Sequence, residues 1–486
     1  MNYKMVFNVL GKTFVIIAGL MLVPMFVGIG YGEDNYLSFL IPVVLLLAVG
    51  LPLTFMKVKD KSLFAKEGFV IVSLSWILMS LVGCMPFMIS GEIPNFFDAF
   101  FETVSGFTTT GATILSLSND TMILSKGIMF WRIFTHFIGG MGVLVFLLAV
   151  LPLGGDAMHI LRAESPGPSA SKFVSKIRHT ARILYAIYIA LTLLETILLL
   201  FGGMSFYEAI LTAFSTAGTG GFSFYGDSIA HYNSVYIEMV VSIFMFLFAT
   251  NFNLFYLIIL GQFTKIFKSE EFIFYFAMIV IATLTIAINL AVSGLNFWEG
   301  LRYAFFQTTA ISSTTGFSSA DFIQWPTLSK CVLIILMIVG GCGGSTCGGI
   351  KVSRTLLLFK TCQNGVKKSL HPRAITNLKL DGEILSKEVE RNTSVYFILW
   401  VTLVVLLTLL LSFDPACDQV LTAFTSSLTC IGNVGPGMTE LIGPLGNFAS
   451  FSGFSKILMS VVMLAGRLEI LPMIILFAPR TWIRGQ

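Results

Sequence analysis

Ten apolar stretches run through this chain of 486 residues, at roughly 10–30, 37–56, 68–90, 124–152, 182–203, 234–262, 272–294, 327–360, 394–413 and 453–478. Each meets the length of about 20 residues that a helix needs to cross a bilayer. No other feature restricts the fold as strongly, because backbone in lipid has to satisfy its own hydrogen bonds and only helices and closed barrels do so. Composition agrees: 56% of residues are hydrophobic and 12% charged, about half the charge share of a soluble domain. That excludes a cytosolic enzyme, and a net charge of +4 gives no basis for binding nucleic acid. The amino terminus is basic and then apolar like a signal peptide, but it lacks a small-residue cleavage pattern and a second span follows at once. It therefore reads as an uncleaved first helix. The seven cysteines (Cys84, Cys331, Cys342, Cys347, Cys362, Cys417 and Cys430) are an odd number in mostly apolar or Gly-rich surroundings, which predicts no disulfide framework.

Alternating crossings that start in the cytoplasm assign a side to every connecting segment, and the charges test the assignment. The inner segments carry 24 Lys/Arg and 10 Asp/Glu, the outer ones 4 Lys/Arg and 14 Asp/Glu. This is the positive-inside bias, and it predicts both termini in the cytoplasm. The acidic outer rim, including Asp98, Glu208, Glu299 and Asp418, would also raise the local cation concentration.

Four short segments on the outer side align without gaps: AFFETVSGFTTTG from Ala99, AILTAFSTAGTGG from Ala209, AFFQTTAISSTTG from Ala304 and AFTSSLTCIGNVG from Ala423. Each lies between two full spans, begins helix-compatible and ends rich in Ser, Thr and Gly. A helix of about nine residues covers only about 13 Å, too little to cross. Polar, irregular backbone after it is tolerated at membrane depth only where it is buried in protein or lines water. The economical solution is a re-entrant loop, and four such loops around an axis would turn their free carbonyls into rings that can replace the hydration shell of a cation. The candidate lining residues are Thr109, Thr110 and Gly111; Thr219, Gly220 and Gly221; Thr314, Thr315 and Gly316; and Asn433, Val434 and Gly435. The last strand departs most from the others, so the pore should be only approximately fourfold. Acidic residues lie 13 residues before the Gly in the first two copies and 17 before it in the last two, which predicts that the third and fourth short helices start one turn earlier.

The fourfold span, short helix, strand and span arrangement, with TTTGAT, GTGGFS, STTGFS and IGNVGPG, resembles the Trk/Ktr/HKT superfamily of potassium transporters over nearly the whole chain. Two extra spans before the first repeat, the run GGCGGSTCGGIKVSR and Arg467 in MLAGRLEI make it most similar to the bacterial TrkH type. The resemblance implies an all-α polytopic membrane protein of the inner membrane, with four parallel helix/pore-helix/helix repeats around a pseudo-fourfold pore. It divides the chain into two extra helices (1–62), repeat 1 (63–154), a cytoplasmic linker with repeat 2 (155–266), repeat 3 (267–362) and a linker with repeat 4 (363–486). It further implies potassium as the transported ion, a homodimer, a cytosolic TrkA-like nucleotide-binding regulatory subunit, and no cofactor on this chain. Selectivity for potassium over sodium rests on the resemblance as well.

Two gate candidates stand out. Gly340, Gly341, Gly343, Gly344, Gly348 and Gly349, with Ser345 and Thr346 between them, cannot form a comfortable helix, since each Gly costs about 1 kcal/mol relative to Ala. Small residues easing helix packing is the simpler reading; the family implies an unwound loop beneath the pore. Arg467 stands near the middle of the last span, where a charge costs of order 3 kcal/mol and faces a cavity or a partner. A structural pairing is one reading, and an electrostatic barrier beneath the pore is the one the family implies. Glu469, two residues on, should point elsewhere. Arg132, His136 and Glu195 read as structural hydrogen-bonding groups. The basic segments 354–391 and 155–182 are the candidate docking area for a partner, although ordinary positive-inside charge is the simpler reading of any one residue in them. No HExxH, GxxxxGK[ST], acidic run or CxxC pair is present, which leaves no motif for an enzyme. Channel-like potassium uptake is the leading function, and a Na+- or H+-coupled potassium symporter is the alternative.

Overall fold

The computed structural model describes residues 1–58, 65–116, 124–142, 177–373 and 377–482. Most of the predicted 155–182 linker and the end of the 124–152 stretch lie outside these residues. The described helices are α1 (Tyr3–Gly30), α2 (Leu37–Phe55), α3 (Ala65–Gly83), α4 (Met85–Ile89), α5 (Phe96–Phe107), α6 (Lys126–Gly140), α7 (Ile177–Phe201), α8 (Phe206–Gly218), α9 (Val235–Phe248) and α10 (Phe252–Ile259). They continue with α11 (Phe263–Ile266), α12 (Glu270–Val292), α13 (Phe297–Ser312), α14 (Thr327–Val339), α15 (Val352–Leu370), α16 (Lys387–Leu411), α17 (Val420–Gly432), α18 (Gly453–Arg467), α19 (Leu471–Phe477) and α20 (Pro479–Trp482). Among the described residues the only sheet is a two-residue antiparallel hairpin, β1 (Lys379–Leu380) with β2 (Glu383–Ile384). The protein is all-α.

Six described helices are long and apolar enough to cross a membrane: Tyr3–Gly30, Leu37–Phe55, Lys66–Ile89, Ala181–Phe201, Glu270–Val292 and Lys387–Leu411. The pair α9 and α10, bent by 92°, makes a seventh if taken as one span. The stretches 234–262, 327–360 and 453–478 are therefore not continuous helices. They break at 249–251, 340–351 and 468–470, and α6 likewise ends at Gly140 inside the 124–152 stretch. The three breaks and the end of α6 fall at the same place, in the helix that follows each short helix.

The short helices have 12, 13, 16 and 13 residues, lengths of about 18–24 Å, still less than the hydrocarbon thickness. Asn95, Ser205 and Asn296 cap the first three through side-chain acceptors, and Asp98, Glu208 and Glu299 follow in their first turns, where a carboxylate favours the positive end of the helix dipole. Only α13 begins one turn early. The expected extension of the fourth does not occur: α17 starts at Val420, beyond Asp418 and without a side-chain cap.

Burial runs opposite to that of a soluble protein. Every residue of α5 from Ala99 to Phe107 is buried, and so is nearly all of the second half of α8, α13 and α17. The long helices, by contrast, expose large apolar side chains such as Ile281, Ile288, Ile398 and Leu409. The polar strands occupy the centre and the hydrocarbon faces outward, as lipid solvent requires.

Candidate functional site

Each short helix ends in the same irregular turn. Thr109, Thr219, Thr314 and Asn433 adopt φ of 55°, 55°, 54° and 52°. The following residue's N–H then bonds back five residues, Thr110 to Ser105, Gly220 to Ser215, Thr315 to Ala310 and Val434 to Thr429, which satisfies a helix-terminal carbonyl. A β-branched residue at positive φ is a true outlier, and such strain persists only where the surroundings over-determine it. Three threonines share it here.

The next residue, Gly111, Gly221, Gly316 or Gly435, also has positive φ and marks the closest approach between strands. A Cβ built on Gly111 would lie 1.9 Å from the Gly220 carbonyl oxygen; on Gly221, 1.9 Å from that of Thr315; on Gly316, 2.2 Å from that of Val434; and on Gly435, 2.9 Å from that of Thr110. Each glycine thus abuts the carbonyl just before the glycine of the next strand, and the fourth returns to the first. Twelve sequence-predicted residues form one closed ring, buried apart from Gly111, Gly221 and Gly316. One cavity is lined by all four ring glycines together with Ser223, Pro436 and Asn447. A second is lined by Gly344, Ser345, Gly348, Gly349 and Arg467.

The Gly-rich segment 340–351 is unwound and touches the ring directly. Gly348 N donates to the Thr314 hydroxyl at 2.9 Å, and a Cβ on Gly348 would meet the Gly432 carbonyl oxygen at 2.1 Å, so close approach requires glycine there. Ser345 closes an internal turn by donating to Cys342 O at 2.6 Å.

Arg467 ends α18, and the three residues between it and α19 are not helical. Glu469 and Ile470 take φ of 60° and 65°. The guanidinium donates to Thr346 O at 2.7 Å, to the Thr109 hydroxyl at 3.3 Å, and to the carbonyls of Gly139 and Gly140. It thereby joins the ring, the Gly-rich loop and the end of α6. Glu469 turns away, as expected, and pairs with Lys351 at 3.7 Å and with Arg354.

Sequence reading missed the partner of Arg132. Arg132 on α6 forms a buried ion pair with Glu102 of α5 at 2.6 Å. Glu102 also accepts from Thr113 Oγ1 at 2.8 Å and Ile114 N at 2.9 Å, while Arg132 donates to Ser223 O at 3.1 Å and lies over the Phe222 ring. The pair braces the strand after Gly111 against the strand after Gly221. His136 lies behind the second strand, with Nδ1 3.2 Å from Ser215 Oγ. The available signal was the lone carboxylate among Glu102, Thr212, Gln307 and Ser426, which share one repeat position. Glu195 is buried with no hydrogen-bond partner for its carboxylate oxygens among the described residues.

A family model, TrkH, described as a cation transport protein, matches residues 37–483. The Trk system potassium uptake protein TrkH of Escherichia coli K12 is 34% identical over 493 aligned positions, 99% of this chain and 100% of that protein. The Trk system potassium uptake protein TrkG of the same organism is 32% identical, with 95% of each chain covered. The crystal structure of the potassium transporter TrkH from Vibrio parahaemolyticus matches with a TM-score of 0.88 at 30% identity, covering 99% of this chain and 100% of that one.

Proposed function

The chain belongs to the TrkH family of cation transport proteins, and we propose that it takes up potassium through the ring of Thr109–Gly111, Thr219–Gly221, Thr314–Gly316 and Asn433–Gly435. The observation that carries this reading is the cyclic contact of each ring glycine with the carbonyl preceding the next one. Four carbonyls, each crowded against the neighbouring strand, supply the dipoles that can stand in for a cation's hydration shell. The ion would be held by backbone oxygen, and it is the substrate rather than a resident cofactor.

On this reading the Gly-rich loop and Arg467 form the gate. The loop's contact with Thr314 and the guanidinium's contact with Thr109 support it, since a fixed positive charge at the base of the ring opposes cation passage. The basic face is cytoplasmic, and the segment 354–391, with its exposed hairpin, receives a cytosolic nucleotide-binding subunit of the TrkA kind. The chain works as a homodimer, with the four repeats divided near 63–154, 155–266, 267–362 and 363–486.

Reconstitution into liposomes with an imposed potassium gradient tests the transport mode. Flux that follows the electrical gradient at any sodium concentration or pH is expected. Strict dependence on a sodium or proton gradient would replace this reading with a coupled symporter.

A further inference from the structure

Glu271, the second residue of α12, is buried, and its carboxylate reaches two separate breaks in the transmembrane helices. Oε1 accepts from Gly343 N at 2.6 Å, inside the Gly-rich loop. Oε2 accepts from the Asn251 side-chain amide at 3.4 Å, at the 92° bend between α9 and α10. Asn251 itself caps α10 by accepting from Asn253 N at 3.0 Å.

Bend and loop are joined by three further bonds. Cys342 N donates to Ala249 O at 2.9 Å, Phe252 N to Gly344 O at 3.1 Å, and Thr346 Oγ1 to Phe248 O at 3.3 Å. Gly344 has φ of 72°, which strains any side chain there, and a Cβ on it would lie 3.1 Å from the Asn251 amide oxygen. Residues 342–346 are therefore seated on the second repeat's bend, and the Glu271 carboxylate bonds to both sides of that seat. A carboxylate withdrawn from water is costly unless its hydrogen bonds are valuable, and its strongest bond is to a loop N–H that has no helix to satisfy it.

We infer that Glu271 is a positioning residue for the gate: it latches the Gly-rich loop onto the bend at 249–251 in the closed arrangement. The inference rests on the reading of that loop as a gate. Opening then requires the Gly343–Glu271 bond to break, so the second repeat takes part in gating as the surface from which the loop lifts.

The test uses the full chain in liposomes, with potassium flux and thiol labelling as separate readouts. With the five cysteines outside the loop replaced by serine, Cys342 and Cys347, both buried, report lifting of the loop to a membrane-impermeant reagent. Glu271→Ala should raise both flux and labelling rate by about tenfold, the population shift that losing one charge-assisted hydrogen bond permits. Glu271→Gln keeps an oxygen acceptor for Gly343 N and should stay within about threefold of the parent. If Glu271→Ala fails to insert, Asn251→Asp carries the same expectation, because it retains the cap on Asn253 but sets a second carboxylate beside Glu271. A chain shortened within 342–348 separates the two ideas. If shortening raises flux while Glu271→Ala leaves flux and labelling at the parent level, the latch is overturned; if neither change raises flux, the gate reading falls and the latch with it.

Discussion

The side-chain amide of Asn433 donates to the Thr110 hydroxyl at 2.9 Å across 323 residues of sequence, tying the last strand of the ring to the first. It also donates to Met463 O at 3.1 Å. Asn tolerates the left-handed backbone better than Thr does, so at this position one residue supplies both the turn and the bridge. Asn433→Ala should lower stability by about 1–3 kcal/mol from strain and lost hydrogen bonds. Asn433→Gly relieves the strain without restoring the bridge. A melting temperature in detergent that recovers in the Gly variant, while potassium-over-sodium flux stays impaired in both, is the expected pattern.

The ring glycines give a graded prediction. The separations of 1.9, 1.9, 2.2 and 2.9 Å for Gly111, Gly221, Gly316 and Gly435 rank the clash that alanine would bring. Rubidium uptake in cells lacking other potassium uptake should vanish for Gly111→Ala and Gly221→Ala, fall sharply for Gly316→Ala, and be least reduced for Gly435→Ala. Equal loss in all four, at equal amounts of inserted protein, would contradict the geometry.

The four copies were visible because small residues recur at fixed offsets, and a repeated local pattern survives without knowledge of tertiary contacts. The breaks in the helices after them were legible only in part. Six glycines announced the one at 340–351, but the bend at 249–251 carries just Thr250 and Asn251 in an apolar run, and the loop bonded to it lies about 90 residues on. Arg467 looked central in a span because hydropathy continues through Leu468, Ile470 and Leu471, whereas the helix stops at the arginine. Glu102 stood out as the one carboxylate at its repeat position, but its pairing with Arg132, 30 residues away, was not legible because pairing across two helices has no sequence period. The start of α17 shows the same limit: Asp418 marked a turn that the chain does not form.

Breaking the Glu102–Arg132 pair should be worse than removing it. Arg132→Ala leaves the Glu102 carboxylate buried with only Thr113 and Ile114 as donors, a loss of about 3–5 kcal/mol. Glu102→Gln keeps an acceptor and should cost less. The double change Glu102→Leu with Arg132→Met removes both charges and should recover part of the Arg132→Ala loss. Thermal unfolding of the four purified proteins checks the order; a double variant less stable than Arg132→Ala would mean that the pair does more than neutralise itself.

Arg467 and the loop should act as one unit, because the guanidinium holds Thr346 O while also holding Thr109 and the carbonyls of Gly139 and Gly140. Arg467→Ala removes the charge and frees the loop, and should raise potassium flux in liposomes. Arg467→Lys keeps the charge but not the planar fork that reaches several carbonyls at once, so its flux should fall between the two. Shortening 342–348 should raise flux as well. Combining it with Arg467→Ala should give less than the product of the separate effects, since each change releases the same contact and groups in contact do not contribute independently. Reduced flux in an inserted Arg467→Ala protein would assign the arginine to holding the ring together; a fully multiplicative double variant would separate the charge from the loop.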